Sequence, residues 1–284
     1  MADFNTTTNH EQHTNQVDHH IMTTTTTGKE EEVRIEMSEI EKNKVAKMRA
    51  LVHKQDPTSK EVDDDLMLRR FLRARDMDVE KASHMFLKYL RWRHSFMAPN
   101  GGRFSDSDVP NEIAQNKFFM PGYDKQGRPI LLVFGGRHKQ HNLDEFKRFV
   151  VYVLEKICAR MPKGHEKFVA IGDLQGWGYA NCDIRGYLAA LSILQDCYPE
   201  RLGKLLLVHV PYFFVTAWKM IHPFIDKNTK KKKNWKIGIS EKFQIQIVFV
   251  DNKKIKATLL NHIDEEQLPE IYGGKLSLVP AQDC

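Results

Sequence analysis

The sequence predicts an α/β protein with a helical amino-terminal unit. Three amphipathic segments follow one another in residues 29–97, and short apolar runs of strand length then alternate with helical patterns in residues 98–276. Continuous apolar strands that alternate with helices are typical of a largely parallel sheet covered by helices. We therefore expect a small helical unit followed by one larger α/β domain.

The two ends of the chain are predicted to be tails. Residues 1–28 consist mainly of Thr, Asn, Gln and His, with too few apolar side chains to bury a core, so they are expected to be disordered. The histidines there lack the spacing of a zinc helix, and no metal site is expected. Residues 277–284 are interpreted as a carboxyl-terminal tail.

Helix-capping residues mark where the elements begin. Periodicity starts near Glu30, a second helix is predicted to start at Asp63–Asp65, and a third starts at Asp78. Later helices are predicted after Asn142 and after Asp183. The predicted strands are Ile130–Phe134, Phe168–Ile171, Leu205–Val210 and Ile247–Val250.

Charge and hydropathy restrict the partners. The 284 residues have a formal net charge of +6, but residues 1–41 hold nine acidic and two basic side chains, which leaves 41 basic and 28 acidic ones in the rest. Such a surface attracts nucleic acid or an anionic membrane. No apolar run approaches the ~18 residues of a membrane span, and no secretory signal is recognised, so a cytosolic location is expected.

The usual catalytic constellations are missing from the sequence. It contains no G-x-S-x-G elbow, no P-loop and no H-E-x-x-H helix, and Asn181 replaces the third glycine of a dinucleotide fingerprint that begins at Gly176. We therefore expect a protein that is not an enzyme and that uses no cofactor.

One segment is unusually apolar for a surface helix. Residues 211–225 carry apolar side chains almost all round a predicted helix, which indicates either a buried core helix or a cover over a removable apolar ligand. Six lysines between positions 227 and 236 follow directly. They are interpreted either as part of a solvated loop or as a site for an anionic head group. Arg75, seven residues after Leu68, is placed on the apolar face of the second helix, where it would bind a phosphate or form an ordinary ion pair.

Four ordered motifs carry a family resemblance. They are Leu68–Ala82 (L-R-R-F-L-R-A-R-D-M-D-V-E-K-A), Tyr123–Pro129 (Y-D-K-Q-G-R-P), Tyr198–Lys204 (Y-P-E-R-L-G-K) and Leu268–Gly274 (L-P-E-I-Y-G-G). Together they resemble the CRAL-TRIO lipid-binding family, in particular its phosphatidylinositol-transfer branch.

The resemblance implies a pocket with a sheet as its floor, which holds one lipid beneath a mobile gate helix. It implies that phosphatidylinositol or another membrane lipid is the ligand, that an anionic membrane is visited transiently, and that lipid kinases are possible partners. The implied head-group residues are Arg75, Glu200, Arg201, Thr229 and Lys232. The gate and pocket lining are assigned to Phe213, Phe214, Trp218, Ile221 and Phe224.

Two departures from the family pattern leave alternatives open. Residues 176–180 (G-W-G-Y-A) stand where phosphatidylcholine-binding members have small hydroxyl residues, and residues 233–246 resemble an insertion that forms either an exposed excursion or an additional strand. The first hypothesis is phosphoinositide transfer or presentation. Two others stay open: a carrier of a tocopherol-like or sterol-like ligand, and a protein-interaction or nucleic-acid module that uses the basic loop. Among partners, we expect a lipid and no nucleic acid.

Overall fold

Three amino-terminal helices precede alternating strands and helices in the computed structural model, which describes residues 37–97, 103–225 and 246–284. The helices are α1 Glu39–Gln55, α2 Asp65–Arg73, α3 Val79–Phe96, α4 Pro110–Ile113, α5 Leu143–Ala159, α6 Ile184–Cys197, α7 Phe214–Ile225 and α8 Ile255–Leu260. The strands are β1 Phe118–Phe119, β2 Ile130–Phe134, β3 Phe168–Asp173, β4 Leu202–Val208 and β5 Gln246–Phe249. The predicted α/β class with a helical amino-terminal unit is confirmed.

The five strands form one sheet in the order β1-β2-β3-β4-β5. The β1–β2 pair is antiparallel and the other three pairs are parallel. Parallel neighbours need a crossover between them, which α5 supplies from β2 to β3 and α6 from β3 to β4. The carboxyl ends of β2, β3 and β4 therefore lie along one edge of the sheet, here called the carboxyl edge.

Both faces of the sheet are covered, as the continuous apolar runs predict. On one face, alternate residues such as Leu132, Ile171 and Leu206 pack against α8 and the segment up to Tyr272. On the other face, Phe168 and Ala170 join the main core, which also contains α1, α2, α3 and α5. The helical unit and the sheet thus share one core.

Helix starts follow the predicted caps. Asp64 accepts a hydrogen bond from the Met67 backbone N–H, Asp78 from Lys81, and Asp183 from Gly186. Asn142 accepts bonds from the first turn of α5 in the same way. These four side chains satisfy backbone donors that helix geometry leaves unpaired, which fixes where each helix begins.

Three details differ from the expectations. The placement of Arg75 on the face of α2 is wrong, because α2 ends at Arg73 and Arg75 lies in the following turn. Gln246, assigned to an insertion, is the first residue of β5 and pairs with Lys204. In the segment interpreted as a tail, Ala281 is buried in the main core. The rest of the insertion, residues 233–245, and the predicted tail 1–28 lie outside the described residues.

A buried polar cluster lies beneath α5, near the carboxyl edge. The Lys117 ammonium contacts the Glu112 carboxylate and lies 2.8 Å from His138 Nδ1, while His138 Nε2 is 3.5 Å from an oxygen of Asp183. All four side chains are buried. Burial, together with the neighbouring Lys117 charge, lowers the pKa of His138 to about 4.

The neutral state of His138 makes stability depend on pH. The unfolded chain takes up a proton at His138 near the ordinary pKa of 6.5, whereas the folded protein does so only near 4. The contribution of neutral His138 to the free energy of unfolding is therefore fully present above pH 6.5. It is lost as the pH drops towards 4, which lowers the free energy of unfolding by on the order of 3 kcal/mol. Urea unfolding at pH 7 and pH 4.5 should show a smaller loss in His138→Gln than in wild type. The exposed His84→Gln control should keep the full loss, and equal losses in all three proteins would contradict the assignment.

Candidate functional site

The turn between α6 and β4 positions two of the predicted head-group residues. Glu200 adopts a φ of +61°, a left-handed conformation that costs a non-glycine residue about 1–2 kcal/mol. Its carboxylate lies 3.3 Å from Lys167 Nζ. Arg201 donates from Nη1 to the Glu166 carbonyl oxygen at 3.1 Å and lies 3.4 Å from Met161 Sδ. Both residues are thus held at the amino ends of β3 and β4.

A cluster of arginines from α2 meets the same edge of the sheet. Glu166 lies 3.3 Å from Arg70, 3.7 Å from Arg73 and 3.9 Å from Arg69. Glu41 of α1 also pairs with Arg69 and Arg73, each at 3.1 Å. We call these five side chains the arginine cluster. Burial and then the positive charge of Arg201 lower the pKa of Arg70, which places Arg201 within electrostatic reach of the cluster.

Arg75 is the only other predicted head-group residue within the described ranges, and it makes no hydrogen bond or ion pair with Glu200 or Arg201 there. Arg75 donates to the Ala74 carbonyl oxygen at 2.8 Å. Thr229 and Lys232 lie outside the described residues. Their roles, like those of Glu200 and Arg201, stay predictions. The structure adds Arg70, Glu166 and Lys167 as neighbours that the sequence did not identify.

The predicted gate helix is α7, which packs beside α6. Phe214 and Ala217 are buried in a small apolar cluster with Leu174, Trp177 and Leu207. Phe213 and Trp218 pack on the margin of this cluster. Ile221 and Phe224 belong to α7, but their side chains lie outside what the structure describes. The buried members of this cluster differ from those of the main core, and Leu205 packs against both.

The sheet face beneath α7 is apolar and only partly covered. Leu205 of the inner strand β4 is half-buried, as is Ile247 of β5, the last strand in the sheet order, and Phe249 of β5 is exposed. The chain from Arg201 to His209, which contains β4 and one flanking residue at each end, is about 26 Å long at the usual rise of a strand. One leaflet of hydrocarbon is about 15 Å thick. The amino ends of β3 and β4 are here called the amino edge. The floor is long enough for an amphiphile with its head group at the amino edge and its hydrocarbon beneath α7.

A polar clamp lies at the carboxyl edge, where the gate segment leaves β4. The buried Asp173 accepts a hydrogen bond from Tyr272 Oη at 2.7 Å and from the Gln175 backbone N–H at 2.8 Å, and its other contact is His209 Nδ1 at 2.9 Å. His209 has a φ of +50° two residues before Pro211. Burial and the Asp173 charge raise the pKa of Tyr272, so its hydroxyl stays a donor. The clamp thus connects Tyr272 of the Leu268–Gly274 motif to His209, which precedes the predicted gate helix α7.

Removing one donor tests the clamp. Tyr272→Phe leaves a buried carboxylate oxygen without its hydroxyl partner, so the free energy of unfolding should fall by about 2 kcal/mol. Urea unfolding midpoints measure the change. Tyr179→Phe, which alters an exposed ring, should stay within about 0.5 kcal/mol of wild type. Equal midpoints for both variants would mean that Asp173 is solvated and needs no clamp.

The site combines two chemistries at opposite ends of one strand. The amino edge offers guanidinium and ammonium groups, which bind a phosphate by charge-assisted hydrogen bonds. The carboxyl edge offers aromatic rings above an apolar floor, which shelter hydrocarbon from water. The arrangement can hold an amphiphile with an anionic head.

Family models match both parts of the chain. The CRAL/TRIO, N-terminal domain model matches residues 31–91, and the CRAL/TRIO domain model matches residues 113–236. The two matches therefore include α1, α2, most of α3, β2 to β4 and α7, and with them the arginine cluster, the β4 part of the floor and the predicted gate helix, whereas β5 lies beyond the matched residues.

Three curated proteins illustrate the similarity. Patellin-6 of Arabidopsis thaliana is 30% identical over 230 residues, 74% of this chain and 51% of the relative. The phosphatidylinositol/phosphatidylcholine transfer protein SFH12 of the same plant is 28% identical, over 78% of this chain and 41% of the relative. The phosphatidylinositol transfer protein PDR17 of Saccharomyces cerevisiae is 27% identical, over 73% and 56%. The chain thus spans about half the length of these relatives.

The crystal structure of Sfh5 has the same fold, with a TM-score of 0.55 at 16% identity over 79% of this chain and 85% of that one. None of the helices in the described ranges, 37–97, 103–225 and 246–284, is long and apolar enough to cross a bilayer.

Proposed function

Because the chain belongs to the CRAL-TRIO family of lipid-binding and lipid-transfer proteins, we propose that it binds one phospholipid, phosphatidylinositol or a phosphoinositide, and transfers or presents it. The observation that carries the proposal is the pairing of cations at one end of β4 with a partly exposed apolar floor and an aromatic gate at the other. Two of the relatives are phosphatidylinositol transfer proteins by name, which supports the choice of lipid.

Energetics explain why such a carrier needs an enclosing pocket. Two acyl chains contain about 30 methylenes, so at about 0.8 kcal/mol each a lipid loses on the order of 25 kcal/mol if it leaves the bilayer uncovered. Half-buried Leu205 and Ile247 offer replacement contacts on the floor. The gate helix must open for the lipid to enter and close to exclude water.

We propose that the protein exchanges lipid between membranes and catalyses no covalent reaction. The protein would work in the cytoplasm and associate transiently with an anionic membrane, where it could supply substrate to a lipid kinase. The buried indole of Trp177 occupies the loop in which phosphatidylcholine-binding members carry small hydroxyl residues. We therefore propose phosphatidylinositol as the ligand and do not extend the proposal to phosphatidylcholine.

Mass spectrometry of lipid bound to the purified protein tests the proposal. Protein incubated with mixed vesicles and re-isolated should retain phosphatidylinositol at up to one molecule per chain and should deliver it to acceptor vesicles. Retention of a sterol or tocopherol instead would favour the carrier of another hydrophobic ligand. A protein that retains no lipid after incubation would favour the interaction module.

A further inference from the structure

A continuous row of aromatic rings runs from the protein surface to the floor of the sheet. Tyr179 stacks on Phe213 at 5.5 Å, and Phe213 stacks on Trp177 at 5.6 Å. Trp177 contacts Phe214 at 5.3 Å. From there the row continues through Trp218, 6.1 Å from Phe214, to Phe249 at 5.3 Å. We call these six rings the aromatic row.

The outer end of the row is exposed to a degree that packing does not explain. Tyr179 is 86% exposed, and Tyr212, whose ring lies 5.5 Å from Phe213, is 91% exposed. Aromatic side chains with a polar tip prefer the boundary between water and lipid, where the ring leaves water and the hydroxyl keeps its hydrogen bonds. Tyr179 and Tyr212 are two such rings, and both contact Phe213.

Charge on the same edge points to an anionic surface. The segments that follow β2, β3 and β4 (residues 135–142, 174–185 and 209–220) contain one carboxylate, Asp183, which is buried at the start of α6. Their exposed cations are Arg137, Lys139, Arg185 and Lys219. Asn181 donates to the carbonyl oxygens of Gly136 and His138, which joins two of the three segments. Arg137 and Lys139 also line a surface cleft of about 380 Å³.

We propose that the carboxyl edge is a docking surface for an anionic bilayer, with Tyr179 and Tyr212 in the head-group region and the four cations facing acidic lipid. This inference rests on the proposed lipid-transfer function, because that function gives the protein a reason to approach a membrane. Docking acts directly on the gate, because Phe213 lies between the inserted Tyr179 and Trp177, and Trp177 contacts the first residue of α7.

Co-sedimentation of the full chain with vesicles measures the docking. The probes are phosphatidylcholine vesicles with and without 30% phosphatidylserine. Tyr179→Ser/Tyr212→Ser should lower the partition coefficient on the mixed vesicles about tenfold, and Lys139→Ser/Lys219→Ser should lower it about 25-fold, roughly fivefold per lysine, with the loss diminished by salt. The matched controls are Ile40→Ser, which removes a 71% exposed apolar side chain from α1, and Lys47→Ser/Lys54→Ser on the same helix. Both controls should bind like wild type.

The outcomes separate the docking surface from the bound lipid. Wild-type partitioning in the tyrosine variant, or an equal loss in the α1 controls, overturns the inference. Each variant is also loaded with phosphatidylinositol and analysed by mass spectrometry. Loss of docking with retained lipid supports both proposals, whereas tyrosine-dependent docking by a protein that holds no lipid keeps the docking surface and refutes the proposed function.

Discussion

Replacing Glu166 by alanine is expected to lower the free energy of unfolding by about 3–5 kcal/mol, because it leaves buried arginines without their carboxylate. The Glu166 side chain is 9% exposed and lies within 4.0 Å of Arg69, Arg70 and Arg73. Glu41 still pairs with Arg69 and Arg73 in the variant, but within the described residues it makes no ion pair with Arg70. The uncompensated charge should therefore fall mainly on Arg70, at the junction between α2 and the sheet.

Urea unfolding measures this change, with a matched glutamate as its control. Glu265 lies 3.4 Å from Lys256 and 3.7 Å from Lys275, but its side chain is 43% exposed. Glu265→Ala should therefore cost at most about 1 kcal/mol. Glu166→Gln keeps the side-chain shape and should recover only part of the loss. Equal, small effects at both positions would show that water reaches the arginine cluster.

Replacing Arg201 by alanine should reduce phosphatidylinositol transfer tenfold or more. A lost charge-assisted contact costs roughly 1.5–3 kcal/mol, which corresponds to this factor. The same reduction is expected for Lys232→Ala, because the family resemblance assigns both residues to the head group. Transfer of a neutral second lipid, if one is carried, should survive, since it needs no cation at the amino edge.

The assay must separate the head group from the fold, because Arg201 also donates to the Glu166 carbonyl oxygen. Transfer between vesicles is measured beside the thermal midpoint of each variant, and the exposed Arg91→Ala on α3 serves as the arginine control. Equal losses of transfer for phosphatidylinositol and for the neutral second lipid, with a lowered thermal midpoint, would indicate a damaged fold. Unchanged phosphatidylinositol transfer with an intact midpoint would remove Arg201 from the head-group site.

Local signals made much of the fold predictable. Continuous apolar runs identified β2 to β5, and side-chain caps such as Asp78 and Asp183 marked helix starts, because both depend on residues close in the chain. The two-residue β1 was missed, since it is too short to show a period. Arg75 was misplaced because helical spacing was extended past the end of α2, where the chain leaves the helix at Ala74.

The environment of the candidate site was less predictable than its residue types. The pattern of Arg69, Arg70 and Arg73 was visible in the sequence, but their partner Glu166 lies more than ninety residues further along the chain. The polar clamp was equally hard to predict, because Asp173 and Tyr272 are 99 residues apart in the sequence. Pairing at such separations is set by the packing of the whole domain, so no local pattern reports it.

The strand order has a consequence for biosynthesis. The strands lie in the sheet in chain order. When β3 or β4 leaves the ribosome, the strand with which it pairs has therefore already been synthesised, with one helix between the two. The exception is β5, which emerges only after residues 209–245 have been translated. During that interval the outer edge of β4 is unpaired on the nascent chain. Lys204 carries a charge along this edge, a feature that discourages a strand from a neighbouring chain from pairing there first.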